Sequence, residues 1–393
     1  MKRSHKIIAL LAAVLIAGGA AMYFSRTPAA DTEPVDYAGE VIAQMSLRDK
    51  VGQLFIIRPE SVCSGSKGVV SVGPTVTAGF EAYPAGGFAI FQRNITSPGQ
   101  LKAFTAQMHG LGKYLPLVCI DEEGGKVTRI DSHPAFDVPT YPDMQSIAST
   151  GDTSEALKLG RDIGAYLNEY GVDVDFAPVA DLNTNPKNKV IGARAFGNNP
   201  ELAGEMVSSV IQGLHEMGIA SCIKHYPGHG DTVTDTHSGY ADTDKSWDEL
   251  LDTELKSFVS GMDSGSDMVM AAHVSVPAVT GNNEPASMSY ALLTEKLRGE
   301  LAYDGIIITD ACEMGAISKH YSSAEAAVSA IKAGADIVLM PANYKEAFDA
   351  VAAAVESGKI SEERINESVR RVLLLKDKYH EGFLKDLYES SRE

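Results

Sequence analysis

The sequence predicts an α/β protein built as a single (β/α)8 barrel of the TIM type. Eight short apolar runs rich in Val, Ile or Phe alternate with stretches of helical periodicity, and this order is typical of a parallel sheet covered by helices. Helix breakers stand at the expected boundaries, namely Gly171, Gly218, Gly305, Gly334 and Pro341. A count of eight strands favours a closed barrel over an open doubly wound sheet.

Each predicted strand is a short continuous apolar run, as expected where both faces are buried. The strands are predicted at residues 53–57, 87–91, 115–120, 174–179, 220–223, 268–272, 306–309 and 337–340. The helices are predicted at 154–169, 201–217, 248–262, 290–301, 323–333, 344–357 and 361–379. Ser46, followed by Asp49, predicts the capped start of an earlier helix. Residues 388–393 resemble a polar tail, and no second domain is expected.

The composition of the 393-residue chain limits its partners. With 34 basic and 52 acidic side chains the net charge is −18, so nucleic acid and anionic membrane surfaces are poor partners. Four cysteines are too few for a disulfide scaffold. Because Cys119, Cys222 and Cys312 lie in or just after predicted strands, we expect buried free thiols.

The N-terminal segment predicts export. Lys2, Arg3 and Lys6 precede 18 uncharged residues at 7–24, a pattern typical of a secretory signal and just long enough for a membrane span. Residues 1–24 are therefore interpreted as a signal peptide or membrane anchor, residues 25–40 as a linker and residues 41–393 as the barrel domain. The protein is expected to be secreted or tethered to the membrane by this segment.

Polar residues follow the apolar runs at the point where the chemistry of a barrel is located. They are Arg58, Asp121, Asp181, Lys224, His225, His273 and Asp310. A core position rarely carries an unpaired Lys or Asp, so this clustering predicts a functional site at one mouth of the barrel. His273 is a further candidate for contact with a substrate.

The loop at 224–237 holds three His, two Asp and one Lys within fourteen residues. Two chemistries fit this density. Imidazole and carboxylate groups bind divalent metals, although no second ligand pair stands at another strand end. Alternatively, Asp235 orients His237 and stabilises its protonated form, which makes His237 a general acid/base near neutral pH.

Asp310 is the candidate nucleophile opposite that dyad. It directly follows the buried run 306–309, where a carboxylate is costly unless it is paired or solvated. A carboxylate nucleophile facing an acid/base is what retaining glycoside hydrolysis requires. Asp310 is also expected to cap a helix that begins at residue 311, and this capping role is compatible with catalysis.

Four segments resemble glycoside hydrolase family 3, specifically its β-N-acetylglucosaminidase branch. Residues 224–237 are similar to the branch signature K-H-F-P-G-H-G-D-T-x-x-D-x-H, and residues 309–316 are similar to the segment that bears the family's nucleophile. Residues 121–129 resemble the sugar-binding segment D-Q-E-G-G-x-V-x-R, and 191–197 resemble a segment that supplies an arginine to the substrate. The resemblance covers most of residues 45–380 and implies the same barrel.

The resemblance implies a role for each matching residue. Asp310 is implied as the nucleophile and His237 as the acid/base, with Asp235 orienting the imidazole. The residues implied to hold the sugar's hydroxyl and N-acetyl groups are Asp121, Arg129, Arg194, Lys224 and His225. The implied substrate is a terminal non-reducing β-N-acetylglucosaminyl residue, typically from peptidoglycan-derived muropeptides, cleaved through a covalent glycosyl-aspartate.

Two residues depart from the family pattern. Tyr226 replaces the commoner Phe, and Glu122 stands where Gln is common. Glu122 adds a negative charge beside Asp121, which either shifts specificity or faces solvent. In the β-glucosidase branch a following domain usually supplies the acid/base, and because only helical sequence follows residue 340, the acid is expected to come from the barrel.

Other functions fit the same residues. A β-N-acetylglucosaminide phosphorylase is compatible with a His acid/base, because imidazole repels an incoming phosphate less than a carboxylate does. A non-catalytic envelope protein that binds muropeptides has no need of Asp310, Asp235 and His237 together. The favoured expectation is a monomeric hydrolase that acts on a small carbohydrate, needs no cofactor or metal, and meets a membrane only through its N-terminal segment.

Overall fold

The centre of the protein is an eight-stranded parallel sheet, seen in a computed structural model that describes residues 35–63, 68–232 and 241–392. Its strands are β1 (Phe55–Ile57), β2 (Gly87–Ala89), β3 (Leu117–Ile120), β4 (Val174–Asp175), β5 (Ala220–Tyr226), β6 (Met268–Ala271), β7 (Ile306–Thr309) and β8 (Val338–Leu339). Neighbours in sequence are neighbours in the sheet, and β8 pairs with β1. A parallel bridge between Ile308 and Ile337 links β7 to the start of β8, so the predicted (β/α)8 barrel is confirmed.

Helices surround the sheet. The α-helices are α1 (Tyr37–Gln44), α2 (Leu47–Gln53), α3 (Pro74–Ala82), α4 (Pro98–His109), α5 (Met144–Ala148), α6 (Thr153–Glu169), α7 (Pro200–Glu216), α8 (Trp247–Asp252), α9 (Glu254–Asp263), α10 (Pro277–Thr280), α11 (Gly315–Ser318), α12 (Ser323–Ala333), α13 (Tyr344–Glu356), α14 (Glu362–Tyr379) and α15 (Phe383–Ser390). Residues Ala291–Glu300 form a π-helix. As predicted, Ser46 caps α2 by accepting the N–H of Asp49.

Three helical segments differ from the sequence prediction. The stretch 248–262 is broken at Thr253, whose backbone leaves the helical region at φ −129° and ψ −97°. Helix α1 begins at Tyr37, inside the segment predicted as a linker over 25–40. Helix α15 extends to Ser390 in the predicted polar tail, because its Leu384 and Leu387 pack into the core. Short amphipathic helices of this kind are weak sequence signals.

The predicted N-terminal segment 1–24 lies outside the described residues. Within the ranges that are described, no helix has both the length and the apolar composition needed to cross a membrane. The described residues from Tyr37 onward group as one compact unit. The three strand-associated cysteines are buried free thiols, as predicted, and Cys63 is half-buried.

Helix α14 covers the end of the barrel at which the strands begin. Asp173, Asp267 and Asp336 stand just before β4, β6 and β8, and each accepts an N–H from the neighbouring strand. The side chains that α14 and its C-cap send to these carboxylates are Arg364, Ser368, Arg371, Lys378, Tyr379 and His380. The opposite end, where the strands finish, is left for the loops that carry the predicted site.

Lys376 of α14 is a buried amine whose Nζ contacts no carboxylate among the described residues. Its Nζ donates to Gln53 Oε1 at 2.6 Å and to the Tyr114 carbonyl at 2.8 Å. Burial lowers the pKa of Lys376 to about 7, against opposing effects of Asp173 and Cys119. The unfolded chain holds this proton up to about pH 10.5, so between pH 7 and 10.5 the unfolded state binds more protons and stability rises with pH.

We therefore expect wild type to gain stability over Lys376→Met as the pH rises from 7 to 10, by roughly 1 kcal/mol per pH unit. Urea unfolding of both proteins at several pH values measures this difference. Lys378→Met removes a half-exposed cation of the same helix and is the matched control, with no such relative gain expected. Parallel pH profiles for wild type and Lys376→Met would show that Lys376 titrates in the ordinary range.

Candidate active site

The residues predicted at the strand ends come together at one mouth of the barrel. Of these residues, Asp121, Lys224, His225 and Asp310 line a cavity of about 290 Å³, and Arg129 and Arg194 also contribute to its walls. Lys224 and His225 are consecutive in β5, yet both line the cavity. The pairing of β5 with β6 is irregular between Lys224 and Tyr226, and such an irregularity lets successive side chains reach the same side of a strand.

A network of buried and half-buried charges lines the cavity. Lys224 Nζ lies 2.8 Å from Asp121 Oδ1 and 2.6 Å from Glu123 Oε1. Arg194 binds Glu123 in a bidentate manner, with Nε and Nη2 at 2.8 and 2.7 Å. Arg129 Nη2 lies 3.2 Å from the second oxygen of Asp121. The three cations and two carboxylates therefore hold one another in place before any ligand arrives.

The ion pairs keep Glu123 and Lys224 charged. Burial alone would raise the pKa of Glu123, but Lys224 and Arg194 outweigh burial and hold it far below the ordinary value. Burial alone would lower the pKa of Lys224, whereas Asp121 and Glu123 raise it above the usual lysine value. Glu123 had no assigned role in the sequence analysis, although it stands within the same acidic segment. Its importance depends on partners 71 and 101 positions away in the chain, which no local pattern indicates.

Asp181 orients two histidines of the cavity wall, His225 and His229. It is fully buried, and its Oδ2 lies 2.6 Å from His225 Nδ1, while its Oδ1 accepts the backbone N–H of His229 at 2.6 Å. Burial would raise the pKa of Asp181, but His225 and His229 lower it below the ordinary value. With Nδ1 engaged by the carboxylate, His225 presents Nε2 to the cavity.

Asp310 follows β7 at the same mouth. Its Oδ1 accepts the N–H of Ala311 at 2.7 Å. Burial would raise its pKa, but His273, His225 and this hydrogen bond keep the pKa below the ordinary aspartate value. The carboxylate is therefore ionised at neutral pH, as a nucleophile must be. The expectation that Asp310 caps a helix is wrong, because the next helix, α11, begins at Gly315.

His273 holds the segment that directly follows Asp310. It is completely buried, with Nδ1 2.8 Å from Ser287 Oγ and Nε2 3.0 Å from the Ala311 carbonyl. Both ring nitrogens are engaged by the protein, so His273 holds the segment after Asp310 and does not face a substrate, contrary to the suggestion from its strand-end position. Asp235 and His237 lie outside the described residues, and their predicted roles stay predictions.

Glu122 neither contacts the cavity nor faces solvent. Its carboxylate accepts the backbone N–H groups of Arg129, Ile130 and Asp131 at 2.6, 3.1 and 2.9 Å and the Tyr166 hydroxyl at 2.9 Å. Burial raises its pKa, and these hydrogen bonds oppose the rise. Glu122 therefore shapes the loop that carries Arg129.

Glu122→Gln is expected to lower the free energy of unfolding by about 1–3 kcal/mol with little change in turnover. The glutamine side chain has only one acceptor oxygen. Its NH₂ group would face backbone N–H donors that the Glu122 carboxylate accepts in the wild type. Chemical denaturation and steady-state kinetics measure the two effects. Glu81→Gln, at an exposed position, is the control. Lost turnover at unchanged stability would instead place Glu122 in contact with the substrate.

Glu313 is a further carboxylate of the cavity wall that the sequence analysis did not single out. It lies three residues after Asp310, and its Oε2 is 2.5 Å from Arg58 Nη2. Burial raises the pKa of Glu313, while Arg58 and Arg93 lower it less strongly. A carboxyl group with a raised pKa beside the candidate nucleophile is a rival for the role of general acid.

A more voluminous groove, of about 390 Å³, lies at the opposite end of the barrel. Its buried carboxylate, Asp267, is held by His215, Lys378 and Tyr379. None of the residues that the sequence analysis assigned to the site lines this groove. The mouth formed by the strand ends is therefore the candidate active site.

A (β/α)8 barrel whose strand ends join an ionised aspartate to a network of acidic and cationic side chains fits the class of glycoside hydrolases. Residues 46–375 match the model of the glycosyl hydrolase family 3 N-terminal domain. The chain belongs to glycoside hydrolase family 3.

Individual relatives are consistent with this membership. The chain is 31% identical over 350 residues to beta-hexosaminidase A of Pseudoalteromonas piscicida, covering 82% of this chain but 58% of that relative. It is 36% identical over 277 residues to a beta-hexosaminidase of Chromobacterium violaceum, covering 69% and 75%. A solved family 3 beta-N-acetylglucosaminidase from Paenibacillus sp. str. FPU-7 is 37% identical with a TM-score of 0.79, covering 86% of this chain and 63% of that chain.

Proposed function

We propose that this protein is a retaining β-N-acetylglucosaminidase that removes terminal non-reducing N-acetylglucosamine from glycans. The observation that carries the proposal is Asp310, an ionised carboxylate at the end of β7 that shares one cavity with the paired groups Asp121, Lys224 and Arg194. The names of the beta-hexosaminidase relatives support the sugar specificity.

In this proposal the reaction proceeds in two displacements at the anomeric carbon. Asp310 attacks that carbon, while His237 protonates the departing glycosidic oxygen and Asp235 stabilises the imidazolium. Water, deprotonated by His237, then cleaves the glycosyl-aspartate and releases the sugar with its original anomeric configuration. Each step transfers the proton between His237 and an oxygen, so that the free enzyme is restored.

The charged network holds the sugar. Asp121, Arg129, Arg194, Lys224 and His225 are proposed to bind its hydroxyl and N-acetyl groups. Because these side chains already hold one another within hydrogen-bond distance, binding requires little further ordering.

We propose that the natural substrate is a muropeptide derived from peptidoglycan. From the N-terminal segment we also propose that the protein acts after export. Fractionation of cells expressing the full chain tests the location.

Hydrolysis of p-nitrophenyl β-N-acetylglucosaminide by the full chain tests the reaction. We expect cleavage that resists EDTA, β-N-acetylglucosamine as the first product in NMR spectra, and weak activity on the matching β-glucoside. An α-anomer appearing first would exclude retention, and a sugar phosphate formed when phosphate is present would identify a phosphorylase. Binding of the sugar without cleavage would identify a binding protein. Release of N-acetylglucosamine from isolated muropeptides tests the natural substrate separately.

A further inference from the structure

A cluster of two histidines and one aspartate lies at the end of the barrel opposite the candidate active site. Asp173 stands directly before β4, His109 is the last residue of α4, and His380 is the C-cap of α14. The three residues come from separate parts of the chain. None of them lines the cavity that holds Asp310, so the proposed glycosidase mechanism does not use them.

The side chains of this cluster, named here the His109–Asp173–His380 cluster, lie close enough together to share one metal ion. His109 Nε2 is 2.8 Å from Asp173 Oδ2, and His380 Nε2 is 2.9 Å from Asp173 Oδ1. In the part of the chain that the structure describes, this is the group of three possible ligands whose ligand atoms all lie within 4.8 Å of one another. Ligands of a tetrahedral zinc ion are about 3.3 Å apart, so small side-chain shifts suffice.

The neighbouring carboxylates Asp336 and Asp267 differ from this cluster in the side chains that hold them. Asp336 is held by Arg298, Arg364 and Arg371, and Asp267 by His215 and Lys378. Guanidinium and ammonium groups have no lone pair for a metal ion. Asp173 is instead faced by two imidazoles, each of which becomes a ligand once Nε2 carries no proton.

The cluster is also open to water. The side chains of His109 and His380 are 20% and 29% exposed, while Asp173 is 7% exposed. His109 borders a surface groove of about 340 Å³ formed with α15 residues such as Phe383 and Asp386. An ion therefore has a path of entry, and water has room to complete its coordination.

We propose that the His109–Asp173–His380 cluster binds a divalent transition metal ion, with Zn²⁺ as the best match to two imidazoles and one carboxylate. The bound ion joins α4, the start of β4 and the end of α14. Any protons held on the two Nε2 atoms leave to solvent on binding, and no electron is transferred. The role of the ion is to stabilise the end of the barrel at which the strands begin.

Calorimetric titration of the EDTA-treated full chain with ZnCl₂ tests this proposal, together with melting curves with and without zinc. Removing a residue that only supports a metal ligand costs up to about 100-fold in metal affinity. Because His109 and His380 are proposed as ligands themselves, we expect His109→Ala and His380→Ala each to weaken zinc binding at least that much. Zinc is expected to raise the melting temperature of wild type but not that of the double variant His109→Ala/His380→Ala.

Two controls keep the outcome decisive. His215→Ala alters the matched histidine at Asp267 and is expected to bind zinc as wild type does. His380→Gln retains a hydrogen-bond donor toward Asp173 but no imidazole, so it is expected to keep its melting temperature in EDTA and to lose the response to zinc. Zinc titrations and melting shifts that superimpose for wild type and the double variant would overturn the proposal, and any zinc bound equally by both belongs elsewhere.

Discussion

Asp310→Asn is expected to lower kcat for an aryl β-N-acetylglucosaminide by about 10⁴-fold or more, the scale on which enzymes respond to loss of a nucleophile. The amide has nearly the shape of the carboxylate, and its oxygen can still accept the Ala311 N–H, but it cannot attack the anomeric carbon. Steady-state kinetics with enzyme of unchanged melting temperature measures the loss. Turnover near that of wild type would exclude Asp310 as the nucleophile.

Chemical rescue sharpens this test. Asp310→Ala leaves space below the anomeric carbon, and azide is expected to restore turnover of an activated substrate and to yield the α-glycosyl azide. The product has inverted configuration because azide attacks from the face that Asp310 occupies.

Since the pKa of Asp310 lies below the ordinary aspartate value, the nucleophile stays ionised down to acidic pH. Loss of kcat/KM from its protonation is therefore expected below pH ~4.

His237→Ala is expected to have the second largest effect, and its size depends on the leaving group. A general acid contributes about 10²- to 10⁴-fold, so we expect a loss of this order for a disaccharide. A nitrophenolate leaves with little help, and its glycoside is expected to lose much less in the first step. Rates for a series of aryl glycosides measure this dependence. A uniform loss across the series would show that His237 does not protonate the leaving oxygen.

Glu313→Gln is the matched control, because Glu313 is the carboxyl group of the cavity wall with a raised pKa. Glu123 is unsuited to the role, since its pKa lies far below the ordinary value. Glu313 is paired with Arg58, so its replacement is expected to change turnover only modestly and evenly across leaving groups. A steep dependence on the leaving group in Glu313→Gln would transfer the role of acid from His237 to Glu313.

The sequence was informative wherever the structure depends on residues close together in the chain. The runs at 306–309 and 268–272 predicted β7 and β6 because an uninterrupted apolar run is stable only inside the sheet. The same runs predicted which residues stand at the strand ends. Helical periodicity did not reveal the break at Thr253. The helix predicted at 290–301 is present, but periodicity did not indicate that Ala291–Glu300 is a π-helix.

By itself, the sequence determined the barrel, its eight strands and the mouth at which the chemistry is placed, because periodicity and strand-end position are local properties. Only the tertiary structure decided what each charged side chain does there. Of two adjacent carboxylates, Glu123 joins Lys224 and Arg194, while Glu122 binds the backbone of its own loop. Their roles differ because burial makes an unpaired charge costly, so each role depends on partners that only folding brings within hydrogen-bond distance.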